Sequence, residues 1–160
     1  MQPGPAQEGP FSGLVVLEVG GQLGEFAGRI LAGGGADVIR VEPPGGSPTR
    51  WIGPFQHDEP HPDRSLYFWH YNLGKRGITL DLRTEDGRAV FRSLAAAADV
   101  VLDSTPPGQL ADAGIGSEDL AALNPRLVTA AITPFGQWGP YRDFAADDLV
   151  QLALGGQMMV

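Results

Sequence analysis

Apolar positions along the chain come in short blocks, with polar and glycine-rich stretches between them. Leu14 to Val19 is one such block, interrupted only by Glu18. A near-continuous apolar run of that length predicts a strand buried on both faces. Gly20 and Gly21 follow and permit a turn with positive φ. Phe26, Ile30 and Leu31 recur at helical spacing, and Gly33 to Gly35 end the helix. Asp37 to Val41 is the next apolar block. Strand, tight turn, helix and strand over Val15 to Pro44 form the unit that builds a parallel sheet, with its ligand crevice at the strand ends. The chemistry is therefore expected near Gly20 to Gly24.

The remaining blocks repeat the alternation. Pro43 to Pro62 holds six prolines and three glycines, so it reads as a long loop without regular structure. Arg64 to Gly74 mixes aromatic and polar residues and predicts a short helix on the sheet edge. Gly77 to Leu82 is a third strand. Thr84, with Glu85 and Asp86, opens a helix through Ala97 whose buried stripe is Val90, Phe91, Leu94 and Ala95. Asp99 to Asp103 is a fourth strand. Ser117 caps a short helix holding Leu120 and Leu123, and Leu127 to Ile132 is a fifth strand. A last helix is expected from about Ala146 to Leu154. Strands alternating with helices predict an α/β domain with a mostly parallel sheet. Residues 1–12 read as a flexible leader rich in Gly, Pro and Gln, and 13–160 as the folded part. Met158 to Val160 begins a further apolar segment, the mark of a piece of a longer chain.

Composition narrows the classes of function. The chain has 160 residues and a formal net charge of −8, which disfavours nucleic acid as a partner. It contains no cysteine, so disulfides and thiolate chemistry are excluded. Three histidines, two of them in the Pro-rich loop, make no metal site. No apolar stretch nears the roughly 20 residues of a membrane span, and a cytoplasmic location is the expectation.

Three features carry candidate chemistry. Gly20, Gly21, Gly24 and Gly28 do not complete the G-x-G-x-x-G fingerprint of dinucleotide folds, although Glu42 sits where such folds keep a ribose acid. Asn72 to Arg76 places Lys75 and Arg76 after a glycine at a strand entrance, where paired cations can hold phosphate. The same pair also suits a solvated strand start. Asp147 and Asp148 precede an apolar helix, the position of N-capping acids.

The order of these motifs resembles the N-terminal portion of the family III CoA-transferases, which include formyl-CoA transferase, carnitine CoA-transferase and the α-methylacyl-CoA racemases. The resemblance rests on Val16-Leu17-Glu18, the run from Gly34 to Gly46, Ser65 to Phe68, and Asn72 to Arg76 continuing through Leu82. It extends through Ala98 to Val101, Pro107-Gly108, Leu123 to Arg126, and Phe135 to Pro140. What it implies is a Rossmann-like CoA-binding domain, a homodimer of linked rings, and acyl-CoA and a carboxylic acid acceptor as substrates. The transferases of the family use an aspartate that forms a mixed anhydride and then a CoA thioester, without metal. On the motif positions, Gln22 lies beside the CoA, and Asn72, Lys75, Arg76, Pro107 and Gly108 lie near its nucleotide part. That aspartate comes after the glycine-rich segment that ends this chain. The family's first turn usually has Gly-Pro where this chain has Gly24-Glu25, and that turn is one residue shorter here. Its loop after the fourth strand usually reads Glu-Asn-Phe-Arg-Pro-Gly, followed by a basic residue; here it is Asp103 to Gly108, with Asp112 near the basic position. The racemases carry a His where Asp147 stands. These departures keep two alternatives open: a degenerate, non-catalytic domain with an assembly or regulatory role, and an acyl-CoA racemase.

Overall fold

The computed structural model describes residues 8–158. Five parallel strands form one sheet: β1 (Val15–Gly20), β2 (Asp37–Glu42), β3 (Arg76–Thr79), β4 (Val100–Ser104) and β5 (Val128–Ala131), in the order β3-β2-β1-β4-β5. Six helices accompany them: α1 (Gln22–Gly33), α2 (Leu66–Asn72), α3 (Glu85–Ala97), α4 (Gln109–Asp112), α5 (Ser117–Leu123) and α6 (Asp148–Leu154). The α/β, Rossmann-like expectation holds. β1 is central, with Val16 opposite Val38 on one side and Val100 on the other. That position explains its near-continuous apolar run, because neither face of β1 meets water.

Each face of the sheet has its own core. Leu17, Val19, Ile39, Val41 and Val101 pack against Phe91 and Ala95 of α3, Leu110 of α4 and Leu120 of α5. Burying Phe91 completely contributes roughly 1.5–3 kcal/mol. On the other face Val16, Val38 and Leu102 meet Ala32 and Ala36, with Phe11 and Leu31 at the margin. Phe11 therefore does not belong to a loose leader: its N–H donates to Gly34 O at 2.9 Å, and its ring fills the space above Gly34. The leader's first seven residues lie outside the described region.

Several local expectations need correction. In α1 Phe26 and Ile30 are more than half exposed and Leu31 packs at the margin of the core, while Gly24, Glu25, Gly28 and Ala32 face inward. In α3, Val90 is exposed and Phe91 and Ala95 carry the contact. Thr84 does cap α3, accepting from Gly87 N–H. Gly116, not Ser117, precedes α5; its N–H donates to Asp119 Oδ2 at 2.9 Å, and the acid three residues on does the capping. β3 begins at Arg76 and ends at Thr79; Leu80 N–H still donates to Glu42 O at 2.9 Å, and Leu80 and Leu82 pack against the core that holds α3. The Pro-rich loop contains two short 3-10 turns, Pro48–Trp51 and Gln56–Asp58. Helix α2, capped by Ser65, packs on α1 and the first of those turns instead of on the sheet edge. Among the described residues no helix is long and apolar enough to cross a membrane.

Candidate functional site

In this strand order the connection reverses between β1 and β4, so the crevice expected of an open parallel sheet lies at their carboxyl ends. Its floor is Gly20-Gly21 from β1 and Ser104-Thr105 from β4. The Ser104 hydroxyl closes the switch point. It accepts from Gly21 N–H at 3.0 Å and donates to Gly21 O at 3.1 Å. Gly20 has φ of +111° and a Cβ there would stand 2.5 Å from Ser104 Oγ, while one on Gly24 would stand 2.8 Å from it. Glycine is required at both positions, because backbone and hydroxyl already touch.

A buried ionic cluster lies beneath α1. Arg40 of β2 donates to Glu18 of β1, to Glu25 Oε1 at 2.5 Å and to Ser47 Oγ at 2.9 Å. Thr49 Oγ1 also donates to Glu25 Oε1, at 2.6 Å. Lys75 Nζ donates to Glu18 Oε1 at 2.9 Å, to the Glu25 carbonyl at 2.8 Å and to Asn72 Oδ1 at 2.9 Å. The side chains of Glu18, Glu25, Arg40 and Lys75 are at most 2% exposed. Two acids and two bases make the cluster neutral, which is how buried charge is tolerated. Burial nevertheless raises the Glu18 pKa despite Lys75 and Arg40, and lowers that of Lys75 despite Glu18.

The six residues expected at a CoA site are dispersed by this geometry. Gln22 opens α1 at the crevice, and its side chain is exposed there. Asn72 and Lys75 are inside, under α1. Arg76 pairs with Asp37 through Nε at 2.7 Å, at the amino-terminal entrance of β2 and β3, the far end of the sheet from the crevice. Pro107 and Gly108 are at the carboxyl side of β4. The Arg142 guanidinium donates to Pro107 O at 3.1 Å, and Gly108 N–H donates to Gln137 Oε1 at 3.1 Å. The structure thus gathers Gln22, Pro107 and Gly108 at the strand ends and separates them from Lys75 and Arg76.

Two openings flank the crevice. One, of about 640 Å³, runs along β4 and β5 beside α5, from an apolar floor at Val101, Ile115 and Leu120 to Asp103, Gln137 and Trp138. Burial raises the Asp103 pKa against two hydrogen bonds from Thr105, its N–H at 2.8 Å and its hydroxyl at 2.6 Å. The other, of about 250 Å³, lies at the ends of β2 and β3 between Glu42, Gly46, Arg50 and Thr79. There Arg50 grips Glu42 with two bonds of 2.7 and 2.8 Å and stacks 3.9 Å over the Phe68 ring. Glu42 is buried, yet those bonds and the Ser47 N–H hold its pKa down. Its oxygens are engaged within the protein, unlike those of a ribose-binding acid.

The sequence reading missed Arg83, 85% exposed on the loop after β3 and paired with Asp81 at 2.8 Å. That bond and the Arg83 N–H lower Asp81 to about 2. A lone arginine leaving a strand at its carboxyl end was the available signal. Asp147 caps α6, accepting from Val150 N–H at 3.0 Å, which bears out the capping assignment. Among the described residues no group of three or more His, Asp or Glu side chains is placed to hold a metal ion.

The sequence matches the model of CoA-transferase family III over residues 11–160. It is 43% identical over 146 residues to the succinyl-CoA:(R)-benzylsuccinate CoA-transferase subunit BbsE of Thauera aromatica, covering 91% of this chain and 36% of that protein. A succinate–glutarate CoA-transferase of Agrobacterium fabrum is 42% identical over 160 residues, 98% of this chain and 40% of that one. The crystal structure of a CAIB/BAIF family protein from Brucella suis superposes with a TM-score of 0.85 at 42% identity, over 95% of this chain and 40% of that one. The chain spans about two fifths of the length of these relatives.

Proposed function

The chain belongs to CoA-transferase family III, and from that premise we propose that residues 13–160 are the CoA-binding portion of an enzyme moving CoA between an acyl-CoA and a carboxylic acid. In this reading the nucleophilic aspartate lies beyond Val160. It attacks the thioester carbonyl, releasing CoA thiolate and leaving a mixed anhydride; the thiolate then attacks the aspartyl carbonyl and releases the donor acid. The acceptor acid reverses the sequence. A homodimer in the cytoplasm belongs to the same reading.

The observation that carries it is the convergence at the strand ends of the elements a CoA would meet: Gln22 on the β1–α1 turn, and the Pro107-Gly108 loop braced by Gln137 and Arg142. Gln22 supplies a side-chain amide for a long, polar, flexible ligand, and the Pro107-Gly108 loop supplies a wall held in place by Gln137 and Arg142. Arg83, exposed on the loop that leaves β3 at its carboxyl end, supplies a cation for the ligand's phosphates. Titrating the chain with CoA in a calorimeter tests the reading. Binding that weakens as salt rises supports it, and no heat at millimolar CoA would count against it. The non-catalytic alternative is favoured by one specific feature: Ser104 already occupies the Gly21 N–H, so this turn offers no anion cradle. It predicts no CoA binding in the same titration. The racemase reading has no matching observation, because Asp147 is engaged as a helix cap.

A further inference from the structure

We infer that Lys75 is a positioning residue, a strut that fixes the β1–α1 turn from beneath, and that it makes no contact with the phosphates of an acyl-CoA. An ammonium has three protons. Those of Lys75 go to Glu18 Oε1, the Glu25 carbonyl and Asn72 Oδ1, all between 2.8 and 2.9 Å, and its side chain is 1% exposed. None is left for a ligand. Withdrawing the ammonium toward solvent would leave Glu18 facing Arg40 alone and the buried cluster one charge out of balance.

The strut has a defined footing and a defined load. Asn72 ends α2 and is itself held by its Nδ2 donating to Phe68 O at 3.1 Å. From that anchor Lys75 crosses under α1 to the carbonyl of Glu25, three residues after Gln22 and in the first turn of the helix. The close packing of Gly28, where a Cβ would lie 2.8 Å from Glu18 Cδ and 3.1 Å from Lys75 Nζ, keeps helix and strut in register. The turn is held on its other side by Ser104. Lys75 and Ser104 together fix the backbone that carries Gln22. The effect on acyl-CoA runs through the shape of the turn and not through charge on the ligand; this part rests on the proposal that the turn borders the CoA site.

The test uses Lys75→Met and the charge-balanced double variant Glu18→Gln/Lys75→Met, which keeps the Arg40–Glu25 pair and guards against simple unfolding. Two readouts are needed. Amide hydrogen exchange at Gly21 and Gly24, measured without ligand, should accelerate at least tenfold in both variants, while the amides of β4 stay protected. Affinity for CoA and for 3′-dephospho-CoA should fall by the same factor, tenfold or more. Unchanged exchange at the turn would overturn the proposal. So would a loss for CoA that dephospho-CoA does not share, because that marks a direct phosphate contact. If the unsubstituted chain binds neither ligand, the CoA-binding reading fails while the exchange measurement still decides the role of Lys75.

Discussion

Gly28→Ala tests the packing of α1 on its buried ions. In an exposed helix, replacing glycine by alanine gains about 1 kcal/mol. At Gly28 the added methyl would overlap Glu18 Oε2 and stand 2.8 Å from Glu18 Cδ. The carboxylate cannot swing aside cheaply, since Arg40 and Lys75 grip it and it is 1% exposed. Displacing it resembles breaking a buried ion pair, at about 3–5 kcal/mol. The net expectation is a destabilisation of about 2–4 kcal/mol, or roughly 4–16 °C in Tm for a chain of this size. Gly33→Ala, in the same helix with nothing within 4 Å of the new methyl, is the control and should gain about 0.4–1 kcal/mol. Urea denaturation of both variants measures the difference. Glu18→Asp withdraws the carboxylate by one methylene and should cost less in the Gly28→Ala background than alone, with a coupling energy near 1 kcal/mol. A Gly28→Ala variant as stable as Gly33→Ala would refute the reasoning outright.

Other expectations follow from the same geometry. Ser104→Asn puts a larger side chain against Gly20 and Gly24, and should cost about 1–3 kcal/mol by urea denaturation, more than the loss of about 1 kcal/mol expected of Ser104→Ala. Asp103→Asn keeps an oxygen for the two Thr105 bonds and removes the titration. Because burial raises the Asp103 pKa above its ordinary 3.8, the folded state holds that proton more tightly than the unfolded chain. Stability of the unsubstituted chain should therefore fall relative to Asp103→Asn as pH rises above 3.8, levelling once the folded-state pKa is passed; a relative gain over that range would contradict the direction. Asp147→Ala removes the α6 cap and should lower the helix stability by about 1 kcal/mol, read from amide exchange at Val150.

The sheet was legible because β1, β2, β4 and β5 are largely apolar blocks with glycine or proline close behind them, and the βαβ order leaves little freedom in how parallel strands connect. Helix α1 was legible as a helix, but its apolar spacing did not say which face packs: Phe26 and Ile30 are exposed, and the inward face carries Gly24, Gly28 and Ala32. Its signal was present: an acid in the middle of an otherwise apolar strand, and two glycines at i, i+4 on the next helix. Gly28 makes room for Glu18 and Gly24 for Ser104, neither of them for a ligand. Lys75 was beyond reach of such reasoning, since whether an ammonium faces phosphate or a carboxylate depends on contacts between residues 57 positions apart. Local chemistry decided the caps, and only a detail changed there, with Asp119 in the role assigned to Ser117.

The structure also changes what Glu25 means. Counted along the sequence, an acid in the first turn opposes an anionic ligand at the crevice. In the fold its side chain points under α1, fully buried, and its charge is met by Arg40 at 2.5 Å with Thr49 as a second donor. Arg40 and Lys75 would otherwise confront Glu18 alone, two cations to one anion, so Glu25 completes the neutrality of the buried cluster. The field it presents to the crevice is that of a closed ion pair, which falls off far faster than that of a free carboxylate. Of the departures that argue against anion binding, only those around the loop after β4 therefore retain their electrostatic force: Pro106 in place of an arginine, and the exposed Asp112 on α4. Restoring charge there with Pro106→Arg and Asp112→Lys should raise CoA affinity, and doing so at Glu25 should instead unfold the turn.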